Sequence, residues 1–305
     1  MKNVTLNGVA LGGYKVTVAE NENCGWYGAA DILTHYVKKY YGIDMVGTIE
    51  GREIVVGHWA SKKFDSKIYF KDNKLFLAAG SVITAVQTVY AFFGKFLADG
   101  QDTDIVLPED GTPVYETREP DWTLIPSVLT LQDKIVRSCF KMEAYLQYDH
   151  ANGLMYSYQH LKTPGTIEEA RETGNRTTNC VITMDWVLKD VGLFRHGILN
   201  HTYDGNCNYD YSTDEVKEAC EKNFDIIQTN NLTEDELSAI GNLKPGDIIF
   251  FTDHNQIIVN KKAALDGGRG HCLSYSVGAT FYEFVGRNPY NDAHPGFLFR
   301  AKDAE

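Results

Sequence analysis

The segment LKPGDIIFFTDHNQIIVN (243–260) leaves this chain few ways to fold. Pro245-Gly246 forces a turn, Asp247 to Phe251 follow as a buried strand, and Gln256 to Val259 form a second strand. The polar break between them places His254 at the mouth of a hairpin. Upstream, TTNCVITMDWVLKDVGL (177–193) predicts a helix, because Asn179 is a good N-cap and Ile182, Trp186, Val187 and Val191 recur at helical spacing. Cys180 then falls on the first turn. Backbone N–H groups and the positive end of the helix dipole favour a thiolate there and lower the thiol pKa from its ordinary value of about 8.5.

A cysteine is also a good small hydrophobe, and Cys180 taken alone reads equally well that way. His254 tips the balance. An imidazole on a strand edge facing a helix-terminal cysteine can take the thiol proton and later protonate a leaving amine. Asp266 stands twelve residues beyond His254, far enough for the chain to return and for its carboxylate to hold the second ring nitrogen. A rival register exists in GHCLSYSVGATFYEF, where His271 precedes an alternating strand and Glu283 follows twelve residues later, with Asn288 as a further orienting candidate. His160, His196, His201 and His294 lack such a context and read as surface or satisfied core residues.

The N-terminal half has a different pattern. YKVTVA (14–19) alternates like a half-buried strand, AADILTHYVKKYYG (29–42) spaces its apolar residues as a helix closed by Gly42, and EIVVGH (53–58) reads as a buried strand. KIYFKDNKLFLAAG (67–80) is a hairpin turning at Asp72-Asn73, SVITAVQTVYAFFGKFLADG a helix closed by Gly100, and DIVLPE a last strand. The order β-α-β-β-α-β predicts an open sheet with two helices on one face. This stretch resembles the small accessory domain that precedes the barrel in α-glucuronidases, which implies a carbohydrate setting and no catalytic groups. Residues 1–110 are thus read as an accessory domain and 111–125, with prolines and charges but no periodicity, as a linker. Residues 126–305 are read as the catalytic domain, opening on a helix through about Tyr148. The fold class expected is α+β.

The motifs of the second half resemble the NlpC-type cell-wall peptidases and the related CHAP amidases. The resemblance covers about Gly153 to Arg300 and rests on the helix-opening cysteine, PGDIIFF, HNQIIVN and a polar residue about twelve positions on. It implies a papain-like fold, with a helix-borne Cys180 packed on an antiparallel sheet. It also implies Cys180 as nucleophile, His254 as base and Asp266 as orienting residue. A tyrosine near the oxyanion site is implied too, here Tyr156 or else Tyr158, with Asn179 on the substrate side and the Cys180 N–H as the other oxyanion donor. The chain departs from that family in reading Asn179-Cys180-Val181 where Asp-Cys-Ser is common. About 24 residues separate Tyr156 from Cys180, and the span from Val191 to Pro245 reads as an inserted loop and helix.

The implied activity is hydrolysis of amide bonds in bacterial cell-wall peptide through an acyl-enzyme, with a peptide or glycopeptide as substrate. Two other readings remain open. One is a glycan-binding or scaffolding protein with a degenerate module, the other a transglutaminase-like hydrolase of different amides. A formal net charge of −12 over 305 residues disfavours nucleic acid as a partner. The longest apolar run, Val82 to Phe93, is broken by Thr84, Gln87 and Thr88 and is too short to span a membrane. Six scattered cysteines without CxxC spacing, and no HExxH or phosphate-loop motif, give no reason to expect a metal or cofactor. No secretory signal is visible at the N-terminus, so the chain is expected to be cytosolic or to have had a signal removed.

Overall fold

A computed structural model describes residues 2–18, 27–59, 62–154, 156–158, 165–202, 208–229, 244–250, 255–259, 272–273 and 296–303. The chain divides into two compact units, Met1–Val128 and Leu129–Glu305, and is mixed α and β throughout.

The first unit contains β1 (Val4–Leu6), β2 (Val9–Ala10), β3 (Lys15–Val18), α1 (Tyr27–Tyr36), β4 (Glu53–Trp59), β5 (Ser66–Lys71), β6 (Lys74–Ala79), α2 (Val82–Phe96), β7 (Thr103–Ile105) and β8 (Tyr115–Thr117). Its main sheet runs β3-β4-β6-β5-β8, with β3, β4 and β6 parallel and β5 antiparallel to both of its neighbours. The β5–β6 hairpin turns at Asp72 and Asn73 with φ of 50° and 64°. Two left-handed residues in succession match the right-handed twist of the strands they join, and Asp and Asn accept that conformation readily. Gly42, at φ 71°, ends the π-helical turn Val37–Tyr41 that continues α1. Helices α1 and α2 pack on one another, α1 against β3 and α2 against β5 and β6. They therefore share a face of the sheet.

The polar residues that interrupt the apolar run of α2 are all engaged. Thr84 closes a capping box with Ser81, and Thr88 Oγ1 donates to the carbonyl of Thr84 at 2.6 Å. Gln87 Nε2 donates to Ser66 Oγ and Tyr115 Oη, and its Oε1 accepts the Asp121 N–H at 3.1 Å. The stretch read as a linker is thereby part of the first unit. It supplies β8 to the sheet edge and Trp122 to the core, beside the Tyr90 ring. Lack of periodicity misled there, since three residues on a sheet edge are too few to show a period. DIVLPE also goes elsewhere, because β7 pairs with β1 in a separate sheet ordered β2-β1-β7. Helix α2 ends at Phe96, before Gly100.

The second unit contains α3 (Leu131–Ala151), β9 (Ser157–Tyr158), α4 (Ile167–Thr173), β10 (Thr177–Thr178), α5 (Cys180–Asp190), β11 (Leu199–His201), β12 (Tyr209–Tyr211), α6 (Asp214–Asn223), β13 (Phe224–Gln228), β14 (Ile248–Phe250), β15 (Asn255–Ile258), β16 (Cys272–Leu273) and β17 (Phe297–Ala301). Its main sheet runs β13-β17-β14-β15-β16 and is antiparallel throughout. Ile248, Phe250, Ile257 and Phe299 share one face and join Trp186, Val187 and Leu188 of α5 and Ile135, Cys139 and Met142 of α3 in one core. Ile249, Ile258 and Leu298 form a smaller cluster on the other face, as alternation requires. The span from Val191 to Pro245 is more than an inserted loop and helix. Its β13 is an edge strand of the sheet, and α6 buries Val216 and Cys220 in the core.

The Pro-Gly-Asp turn has a separate use for each of its residues. The Pro245 carbonyl accepts Gln132 Nε2 from the first turn of α3 at 2.6 Å. Gly246 sits at φ 93°, and a Cβ there would lie 2.9 Å from Gln132 Cγ and 3.0 Å from its carbonyl oxygen. Asp247 is buried, accepts the Lys244 N–H at 2.8 Å and receives Arg300 of β17 in a two-pronged bond of 3.0 and 2.6 Å. Gly246→Ala should therefore lower the stability of the second unit by about 1–3 kcal/mol from backbone strain, before the contact with Gln132 is counted. A shift of the urea midpoint measures it; an unchanged midpoint would show that the turn tolerates a side chain.

Candidate active site

Cys180 is the first residue of α5. The preceding residue, Asn179, is extended (φ −156°, ψ −174°), and its Oδ1 accepts the Ile182 N–H at 2.8 Å. Thr183 Oγ1 donates to the Asn179 carbonyl at 2.9 Å and is 2.9 Å from Thr178 Oγ1. Thr178 belongs to β10, which pairs in parallel with β9 so that Thr178 lies beside Tyr158. The approach to the cysteine is thus tied down on both sides. Asn179 spends its side-chain oxygen on the cap. The Cys180 residue is 7% exposed, at the end of the helix where unsatisfied N–H groups and the dipole attract negative charge.

Helix α5 packs on α3 and on β15. Lys141, at the midpoint of α3, bonds Asp190 at the C-terminal end of α5, while Asp149 near the end of α3 is joined through Tyr156 to Trp186 of α5. The first turn of α3 rests on Gly246, which donates its N–H to the Ile258 carbonyl at the far end of β15. Ile258, with Cys272 paired to it, therefore stands at the Gly246 end of β15, and Asn255 at the other. Asn255 to Ile258 is a rise of about 10 Å. His254, Asp266, His271, Glu283 and Asn288 lie outside the described residues, as does the side chain of Tyr158.

The resemblance had put the Tyr156 hydroxyl near the oxyanion. In the structure it donates to Asp149 Oδ2 at 2.7 Å, and the ring stands edge-on to Trp186 at 6.2 Å. Burial, followed by the neighbouring Asp149 carboxylate, pushes the hydroxyl well above its ordinary pKa. The Tyr156 hydroxyl is thus engaged by Asp149. Asp149 is itself the hub of a cluster that the motifs did not single out: Arg171 of α4 grips it through Nε and Nη2 at about 3.0 Å, and the Arg171 guanidinium lies 4.3 Å over the Tyr145 ring. Lys141 links all three helices by bonding Glu168 of α4 at 2.6 Å and Asp190 of α5 at 2.5 Å. A signal for Asp149 was present in the sequence. An acidic residue in the last turn of a helix opposes the dipole and needs a cation to compensate.

Cys139, Cys180 and Cys220 are thiols. Burial, then the nearby Asp185 and Glu221, push the Cys220 thiol up to about 12, which leaves it unsuited to nucleophilic work. Among the described residues no three His, Cys, Asp or Glu side chains are grouped to hold a metal ion, and no helix is long and apolar enough to cross a membrane. Compared with known proteins, the chain matches no protein-family model, no curated protein and no solved structure.

Proposed function

We propose that the second unit is a thiol-dependent amidase or peptidase in which Cys180 attacks an amide carbonyl and forms an acyl-enzyme that water then hydrolyses. What supports this reading is Cys180 on the capped first turn of a helix that packs on α3 and on β15. His254 directly precedes β15, the strand on which α5 packs, which favours His254 over His271 as the base, with Asp266 as the group that orients it. The residue after His271, Cys272, pairs at the opposite end of β15. Cell-wall peptide, cut beside a D-amino acid, is the substrate class that the sequence resemblance supports.

The chemistry is ordinary for this arrangement. The base removes the thiol proton as sulfur adds to the carbonyl, the tetrahedral oxyanion is held by the Cys180 N–H, and the protonated base then delivers its proton to the departing amine. Cys180→Ala should lower release of free amine from muropeptides by about 10⁴-fold or more, and His254→Gln should do nearly as much. His271→Gln should stay within about tenfold of the parent. Undiminished turnover by Cys180→Ala would end this reading. Turnover lost in His271→Gln and kept in His254→Gln would reverse the assignment of the base.

The burial of Cys180 favours a second reading, a binding or scaffolding module without turnover. A thiol-directed probe separates the two: rapid labelling of Cys180 at neutral pH supports catalysis, whereas resistance until the protein unfolds supports the binding module.

A further inference from the structure

Asp185 lies on α5 five residues after Cys180 and has no exposed surface. Its Oδ1 accepts the Leu199 N–H of β11 at 3.0 Å, and its Oδ2, also buried, has no hydrogen-bond partner among the described residues. A carboxylate offers about four acceptor sites, and one neutral N–H cannot replace the water it has lost. Among the described residues, the groups around it do not supply the missing charge. Lys189, one turn on in α5, is the cation whose field reaches it; Lys141 of α3 is taken up by Asp190 and Glu168. The described residues of β10 and β15 are not titratable, and β11 brings the buried His201. Cys220 of α6, a neutral thiol near Asp185, brings no positive charge.

We propose that Asp185 is a neutral carboxylic acid in the folded protein and that its ionisation loosens the seam between α5 and β11, so that pH governs how firmly the Cys180 helix is held. Burial is the main reason the proton stays on well above the ordinary value of 3.8. The unfolded chain releases that proton near the ordinary value. The contribution of Asp185 to stability is therefore full at low pH and is lost as pH rises toward the folded-state value, the folding constant falling about tenfold per pH unit in that window.

Asp247 is a second buried carboxyl group pushed upward, so the wild-type profile combines two groups. Comparison with Asp185→Asn isolates one of them, because the amide keeps an acceptor for Leu199 and places N–H where the acid has O–H. Urea unfolding followed by tryptophan fluorescence between about pH 5 and 8 should show the folding constant of Asp185→Asn, relative to wild type, rising by up to about tenfold per unit. Parallel profiles would overturn the proposal. If the variant does not fold, carboxyl carbon NMR of the wild-type protein decides: the protonated resonance for Asp185 at neutral pH is expected, and an ionised one overturns it. Alkylation of Cys180 by iodoacetamide, located by mass spectrometry, reads the coupling. The wild-type rate divided by that of Asp185→Asn should climb with pH, and a constant ratio would show that the helix is indifferent to Asp185. None of these readouts uses hydrolysis, so an inactive protein would sink the function proposed above and leave this inference standing.

Discussion

Replacing Arg300 with methionine should destabilise the second unit by about 3–5 kcal/mol, because it leaves Asp247 buried without its cation. The Asp247 side chain is 1% exposed and its partner 18%, and the bond between them is two-pronged, at 3.0 and 2.6 Å. What remains after the substitution, among the described residues, is one N–H from Lys244. The loss comes from the stranded carboxylate more than from the ion pair itself. The double variant Arg300→Met, Asp247→Leu should therefore recover part of the stability that the single variant loses. Urea denaturation of all three proteins checks this, and a single variant within about 1 kcal/mol of wild type would show that water reaches Asp247 readily. Because Asp247 immediately precedes β14, the loss should also disturb the β14–β15 pair on which α5 packs.

The other large effect is expected at Asp149, where alanine should cost about 3–5 kcal/mol. The substitution removes both acceptors of the Arg171 fork and the partner of the Tyr156 hydroxyl, at a carboxylate that is itself 2% exposed while Arg171 is 28% exposed. Asp149→Asn, which keeps the shape, should cost less, since the amide can still accept from one donor. These residues tie α3 to α4 and to the strand pair that leads into Cys180. The alanine variant should therefore speed thiol labelling of Cys180 in the native protein as well as lower the melting temperature. Faster melting with unchanged labelling would confine Asp149 to stability and remove it from the support of the site.

The parts that were legible in the sequence are those in which neighbours along the chain determine the conformation. Asp72-Asn73 is a turn because those residues accept positive φ, and Gly42 ends a helix for the same reason. Asn179 caps α5 because its side chain reaches the N–H three residues on. The 243–260 hairpin is visible because its strands are short, apolar and punctuated. Where the signal is long-range, the sequence was mute or misleading. β8 is three residues on a sheet edge, β7 leaves the main sheet for β1, and β13 joins β17 from across a long stretch of chain. Each pairing depends on which backbone edge is vacant in three dimensions, which no local pattern records.

The same division holds for the site. That Cys180 opens a helix with its N–H groups behind it is a property of Asn179-Cys180 and the apolar spacing that follows, so the sequence alone determined it. Which strand the Cys180 helix packs on, what the Tyr156 hydroxyl binds and whether Asp185 carries a charge were decided only by tertiary structure. Packing, partner and protonation all depend on groups far apart in the chain: α5 against β15, Asp149 beneath Tyr156, Leu199 over Asp185. A capped helix is built by neighbours. The environment of a buried polar group is built by the rest of the fold, because it is the distant segments that remove its water and either supply or withhold a partner.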